Sequence, residues 1–92
     1  MNKCLEVTLS LKSYSDDLIS YIQRSAKKLR VEGTLQALDK KTVKIIACGQ
    51  SEEVDKFMDA VYNGNKGLKP TAVEVEPFLK DKDYRGVFRL IE

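Results

Sequence analysis

Two stripes of apolar residues at helical spacing, each set between stretches that alternate with a period of two, constrain this 92-residue chain more than any other feature. The first stripe is Leu18, Ile22, Ala26 and Leu29, widened by Ile19. The second is Val54, Phe57, Met58 and Val61. Ahead of the first, Cys4 to Leu11 puts Leu5, Val7, Leu9 and Leu11 on one face and Glu6, Thr8 and Ser10 on the other, as a half-buried strand does. Between the stripes, Gly33 to Leu38 and Thr42 to Cys48 read as strands joined by Asp39-Lys40-Lys41, a hairpin-sized connection. After the second, Asn65 to Pro70 is loop and Thr71 to Glu76 alternates through Val73 and Val75. Pro77 ends or bends that strand, 81–85 is a charged loop, and Gly86 to Ile91 closes the chain with Phe88 and Leu90 on one face.

The order β-α-β-β-α-β, with a short final strand, predicts an α+β fold: a ferredoxin-like split βαβ sandwich with two helices on one face of a mostly antiparallel sheet. Right-handed crossovers place the first and third strands side by side and antiparallel. Helix ends are marked. Ser15 or Asp16 can cap the first helix, Asp16 and Asp17 suit the positive end of its dipole, Ser51 with Glu52 and Glu53 opens the second, and Asn63-Gly64 stops it. The length supports a single domain, 1–92, with one modest core.

Composition excludes much chemistry. With no histidine there is no Ser-His-Asp or Cys-His nucleophile and no imidazole metal site. Cys4 and Cys48 are too few and too far apart in sequence for a zinc ligand set. The alternation puts both on the helix-free face; a disulfide there is disfavoured in a reducing cytosol, so two free thiols are expected. Sixteen basic against 14 acidic residues leave a net charge of +2, which argues for neither a nucleic-acid nor a membrane partner. No apolar run approaches a membrane span, and Met1-Asn2-Lys3 runs straight into strand-like sequence, so the expected location is cytoplasmic.

The polar loop from Lys12 to Asp17 feeds the first helix, whose free N–H groups offer an anion site. Lys12, Ser13, Tyr14 and Ser15 are the candidate residues there, as a surface turn or as a contact for a ligand or partner. Asp16-Asp17 reads as capping, or as a carboxylate pair for acid–base work or a hard cation. Lys27-Lys28 with Arg30, Lys40-Lys41, and Lys66 with Lys69 form basic spots, read as solvated faces. The open sheet face carries Glu6, Thr8, Lys44, Ile46 and Glu74 rather than the aromatics of an RNA platform. Ile46, Val87 and Ile91 could form an apolar strip for a partner or a second copy.

From about Leu5 to Leu90 the chain resembles the acylphosphatase family, small enzymes of this fold that hydrolyse carboxyl-phosphate anhydrides. Ala26-Lys27-Lys28-Leu29 with Gly33 is similar to the family's helix end and Gly-Trp strand start. Thr42-Val43-Lys44-Ile45-Ile46-Ala47-Cys48-Gly49 is similar to its third strand, and Phe88-Arg89-Leu90 to its closing Phe-x-Ile. The family's phosphate cradle, Gly-x-Val-Gln-Gly-Val-x-Phe-Arg, falls on Leu11 to Ile19. Both glycines and the Val-Gln pair are absent, Ile19 stands at the arginine position, Ala37 at the asparagine position and Thr34 at the tryptophan position.

On this resemblance the chain is a divergent member lacking both reactive side chains. An acyl phosphate is already activated, so such an enzyme has mainly to hold the phosphoryl oxygens and aim a water. An arginine fork holds the phosphate bidentately, and an amide orients the water. Losing one preorganised donor costs about 10²–10³ in rate. An arginine supplied to phosphoryl transfer is worth roughly 10³–10⁵. The resemblance therefore implies a catalytically inactive domain that binds a protein or a small anionic ligand, as a monomer with no cofactor and no metal. The alternative is an acyl-phosphate hydrolase with a rearranged site, built on loop N–H groups and Lys12.

Overall fold

The computed structural model describes residues 2–79 and 84–91. Strand β1 (Asn2–Ser10) leads to helix α1 (Asp16–Lys28), strands β2 (Glu32–Ala37) and β3 (Thr42–Gln50) form a hairpin, and helix α2 (Ser51–Asn63) precedes β4 (Ala72–Pro77) and β5 (Phe88–Ile91). The sheet has five strands in the order β4-β1-β3-β2-β5. Its pairings are antiparallel except for β2 with β5. This is the split βαβ sandwich that the pattern predicts, with β1 and β3 adjacent and antiparallel. Of the charged loop expected at 81–85, residues 81–83 lie outside the described residues, as does Met1.

The two helical stripes build the core. From α1 come Leu18, Ile19, Ile22 and Ala26, and from α2 come Val54, Phe57, Met58 and Val61, packed against Val7, Leu9, Leu35, Val43 and Ile45 of the sheet. Each of these side chains larger than Ala26 contributes about 1.5–3 kcal/mol of transfer free energy, set against the entropy of ordering it. Phe57 of α2 meets Phe88 of β5 with ring centres 5.8 Å apart and tilted by 59°, which fixes the short last strand to the core. Ser15 caps α1, its hydroxyl accepting from the Leu18 N–H at 3.3 Å, and Asp16 and Asp17 occupy the first turn. Gly64 ends α2 at φ 69°, where an added Cβ would run into the Leu68 carbonyl oxygen. Gly33 is required for a similar reason: at φ 142° it lies so close to Ile46 that a Cβ would collide with that residue's carbonyl.

The helix-free face differs from expectation in two respects. Cys4 and Cys48 are disulfide-bonded, not free thiols. They are direct partners in the β1–β3 ladder with Cα atoms 4.1 Å apart, a cross-strand spacing at which side chains meet without backbone movement. The alternation gave their shared face; the register that sets them opposite each other decides the bond.

The face is also partly covered. Because β4 and β5 lie at opposite edges, the chain between them has to pass from one edge to the other. Phe78 donates its N–H to the Cys4 carbonyl on β1, and the Tyr84 N–H donates to a Glu32 carboxylate oxygen on β2. Phe78, Tyr84 and Ile91 share a hollow with Ile46, which is only 6% exposed although it faces away from the helices. The expected apolar strip is therefore reduced to Val87 and Ile91, which remain exposed.

Candidate functional site

The connection after β1 is held from two sides. The Leu11 N–H donates to the Lys41 carbonyl at 2.7 Å, which ties the β1–α1 loop to the β2–β3 turn. On the other side the Thr71 N–H and hydroxyl both donate to the Ser10 carbonyl, at 2.8 and 3.0 Å. The second contact follows from topology: β4 pairs with β1 with Ala72 opposite Ser10, so the residues entering β4 lie beside those leaving β1. A groove of about 500 Å³ opens between the two connections, lined by Lys12, Ser13 and Ser15 on one side and Leu68, Lys69 and Thr71 on the other.

Each predicted residue can now be placed. Lys12, Ser13 and Tyr14 are exposed, and Ser15 is half-buried because its hydroxyl is engaged as the cap. Lys12, Ser13 and Ser15 line the groove. Ala37, which the resemblance sets at the asparagine position, is exposed at the end of β2. Ile19, which the resemblance sets at the arginine position, is 2% exposed and belongs to the core, while its N–H is spent on the Ser15 carbonyl at 3.0 Å. The position where the resemblance calls for a phosphate-facing cation is thus directed into the protein.

The electrostatics are mixed. Asp16 and Asp17, both exposed, put carboxylates at the helix start that would otherwise attract an anion. In the turn beyond Ala37, the Asp39 carboxyl accepts from the Lys41 N–H at 2.7 Å. That hydrogen bond, assisted by Thr42, holds Asp39 below the usual carboxylate range and keeps it charged. No group of three or more His, Cys, Asp or Glu is gathered for a metal among the described residues. Nor is any described helix long and apolar enough to cross a membrane.

Sequence reasoning missed the far wall of the groove. Lys69 reads as solvated charge, and Leu68 carries no signal of its own. The available clue was the pairing of β4 with β1, which carries the α2–β4 connection to the loop.

Two helices on one face of a β4-β1-β3-β2-β5 sheet, with a loop between β1 and α1 at one end, define an α+β sandwich of acylphosphatase type. The acylphosphatase family model matches residues 20–89, well over half of the sequence, and the chain belongs to that family. The match begins immediately after Ile19, leaving the cradle stretch outside it. Among solved structures the fold is similar to an acylphosphatase from Bacillus subtilis (TM-score 0.86, 21% identity, all of both chains covered). It is also similar to one from Coxiella burnetii (TM-score 0.85, 22% identity, 98% of this chain and 93% of that one). T. kodakarensis HypF contains a similar unit (TM-score 0.77, 15% identity, all of this chain and 12% of that one). At these identities the likeness establishes the fold.

Proposed function

We propose that this chain is an acylphosphatase-fold binding module without acyl-phosphate hydrolase activity, and that the β1–α1 loop with its facing α2–β4 connection forms the contact surface. The observation that carries the reading is Ile19. Its side chain is buried among core residues at the position where hydrolysis needs an exposed guanidinium. Nothing cheap replaces it. Arg24 lies more than a helical turn further along α1, and Lys12 is a point charge without a fork. Asp16 and Asp17 repel a phosphate dianion at the helix start beside the loop. Without the clamp and the water-orienting amide, most of the advantage over water is gone.

The test is turnover of a simple acyl phosphate such as benzoyl phosphate by the purified chain. The expected rate equals that of buffer. Turnover well above buffer that falls on Lys12→Ala would overturn the proposal and establish a rearranged hydrolase site on the loop.

A further inference from the structure

The groove beside the β1–α1 loop does not end there. Lys12 and Lys69 rim it; Arg24 and Lys66 flank the next hollow, of about 340 Å³; and Arg24, Lys28 and Lys56 surround a third, of about 400 Å³. Leu68 lines the first two and Arg24 the last two, so they form one run along α1 and the elements facing it. The ends of the run are apolar, with Leu18 and Pro70 beside the loop and Leu29 with Ala60 at the far end, while the middle hollow is lined by Asp17, Ser20, Arg24, Asn65 and Lys66 with the exposed Leu68.

The six cations on this run are all exposed. The salt bridge between Lys3 and Asp55 involves none of them. Asp17 lines the run and Asp16 stands next to it at the start of α1, two carboxylates against six lining cations; Glu52, Asp55 and Asp59 of α2 are not among the lining residues. A chain of net charge +2 therefore carries a basic seam with apolar ends along α1.

We propose that this seam docks an extended acidic segment of another protein, with carboxylates alternating with apolar side chains. The proposal rests on the binding-module reading and names its partner. Charge complementarity selects an anionic occupant. The apolar ends select one with apolar side chains, because an extended segment sends alternate residues down into the groove and out to the rim. Length is consistent: α1 has 13 residues, roughly 20 Å at 1.5 Å per residue, which is about six residues of extended chain. A nucleic acid fits less well. It asks for stacked aromatic rings, and along this run Tyr21 stands alone among aliphatic side chains.

The experiment is fluorescence anisotropy of a labelled peptide of alternating Glu and Leu, about seven residues long, titrated with the full chain at low salt. Saturable binding is expected with Kd on the order of 10⁻⁵ M, weakening steeply as salt is raised. Arg24→Glu/Lys56→Glu should weaken it at least about tenfold. Lys40→Glu, in the β2–β3 turn off the seam, should leave it unchanged, with circular dichroism verifying that both variants are folded. Absence of saturation up to 1 mM protein (about 4 kcal/mol of binding at most), or equal binding by the Arg24→Glu/Lys56→Glu variant, would overturn the proposal. So would tighter binding of an RNA oligomer of equal charge through the same residues. Acyl-phosphate turnover in the same preparation would overturn the binding-module reading instead, whatever the peptide does, so the two failures are separable.

Discussion

Replacing Ile19 by alanine tests whether the arginine position is part of the core. The substitution deletes the Ile side chain beyond Cβ at a site 2% exposed. At about 0.8 kcal/mol for each buried methyl or methylene, transfer alone costs about 2.4 kcal/mol. Incomplete collapse of the surroundings raises this, within the usual 2–5 kcal/mol for Ile→Ala in a core. We expect about 3 kcal/mol, which for a domain of this size lowers Tm by roughly 12–24 °C. Urea unfolding followed by circular dichroism reads it as a lower midpoint with an unchanged slope. A loss below about 0.5 kcal/mol is what surface substitutions give, and would put the side chain outside the core. The cradle would then be accessible at that position, and burial of Ile19 would no longer stand against hydrolysis there. The same burial means that Ile19→Arg is no simple restoration, since a guanidinium would enter an apolar site or force the helix start open.

Further outcomes follow from other positions. Cys4→Ala/Cys48→Ala removes a cross-link between residues 44 apart in sequence, which the chain-entropy relation values at about 4 kcal/mol; a loss of roughly 2–4 kcal/mol in urea unfolding is expected, with no free thiol detected in the unreduced, denatured parent. Gly33→Ala should cost at least about 3 kcal/mol, because the residue combines φ 142° with a backbone oxygen where its Cβ would sit; a loss below 1 kcal/mol would contradict that geometry. Asp39 has a folded-state pKa below its unfolded one, so its contribution is fully present above the unfolded pKa and is lost as pH falls through the folded value. The stability gap between the parent and Asp39→Ala should therefore narrow on acidification below the ordinary carboxylate range, and a widening gap would contradict it.

Periodicity made the elements legible, because each strand or helix here buries one face. Val7 and Leu9 on β1, and Ile22 and Val61 on the helices, are core in sequence pattern and in structure alike. Ile19 was legible as part of the α1 stripe, and it is buried there; its place as the arginine position rests on the resemblance. Register was not legible. A slip of two residues between β1 and β3 keeps every side chain on its face, so the alternation placed Cys4 and Cys48 together without making them partners. Long-range adjacency was also hidden. That Thr71 would bond Ser10, bringing Lys69 opposite Lys12, depends on β4 choosing β1, and the cover over Ile46 depends on β5 choosing the opposite edge.

The central claim is that the chain keeps the acylphosphatase scaffold and lacks the chemistry of one loop. Replacing Leu11–Ile19 with the family's Gly-x-Val-Gln-Gly-Val-x-Phe-Arg stretch, together with Ala37→Asn, restores cradle, clamp and water-orienting amide at once. Benzoyl phosphate hydrolysis by this graft beside the parent is the most direct measurement. The account expects a parent at the rate of buffer and a graft at least about 10³-fold faster. A parent as fast as the graft, or a folded graft no faster than buffer, would contradict it.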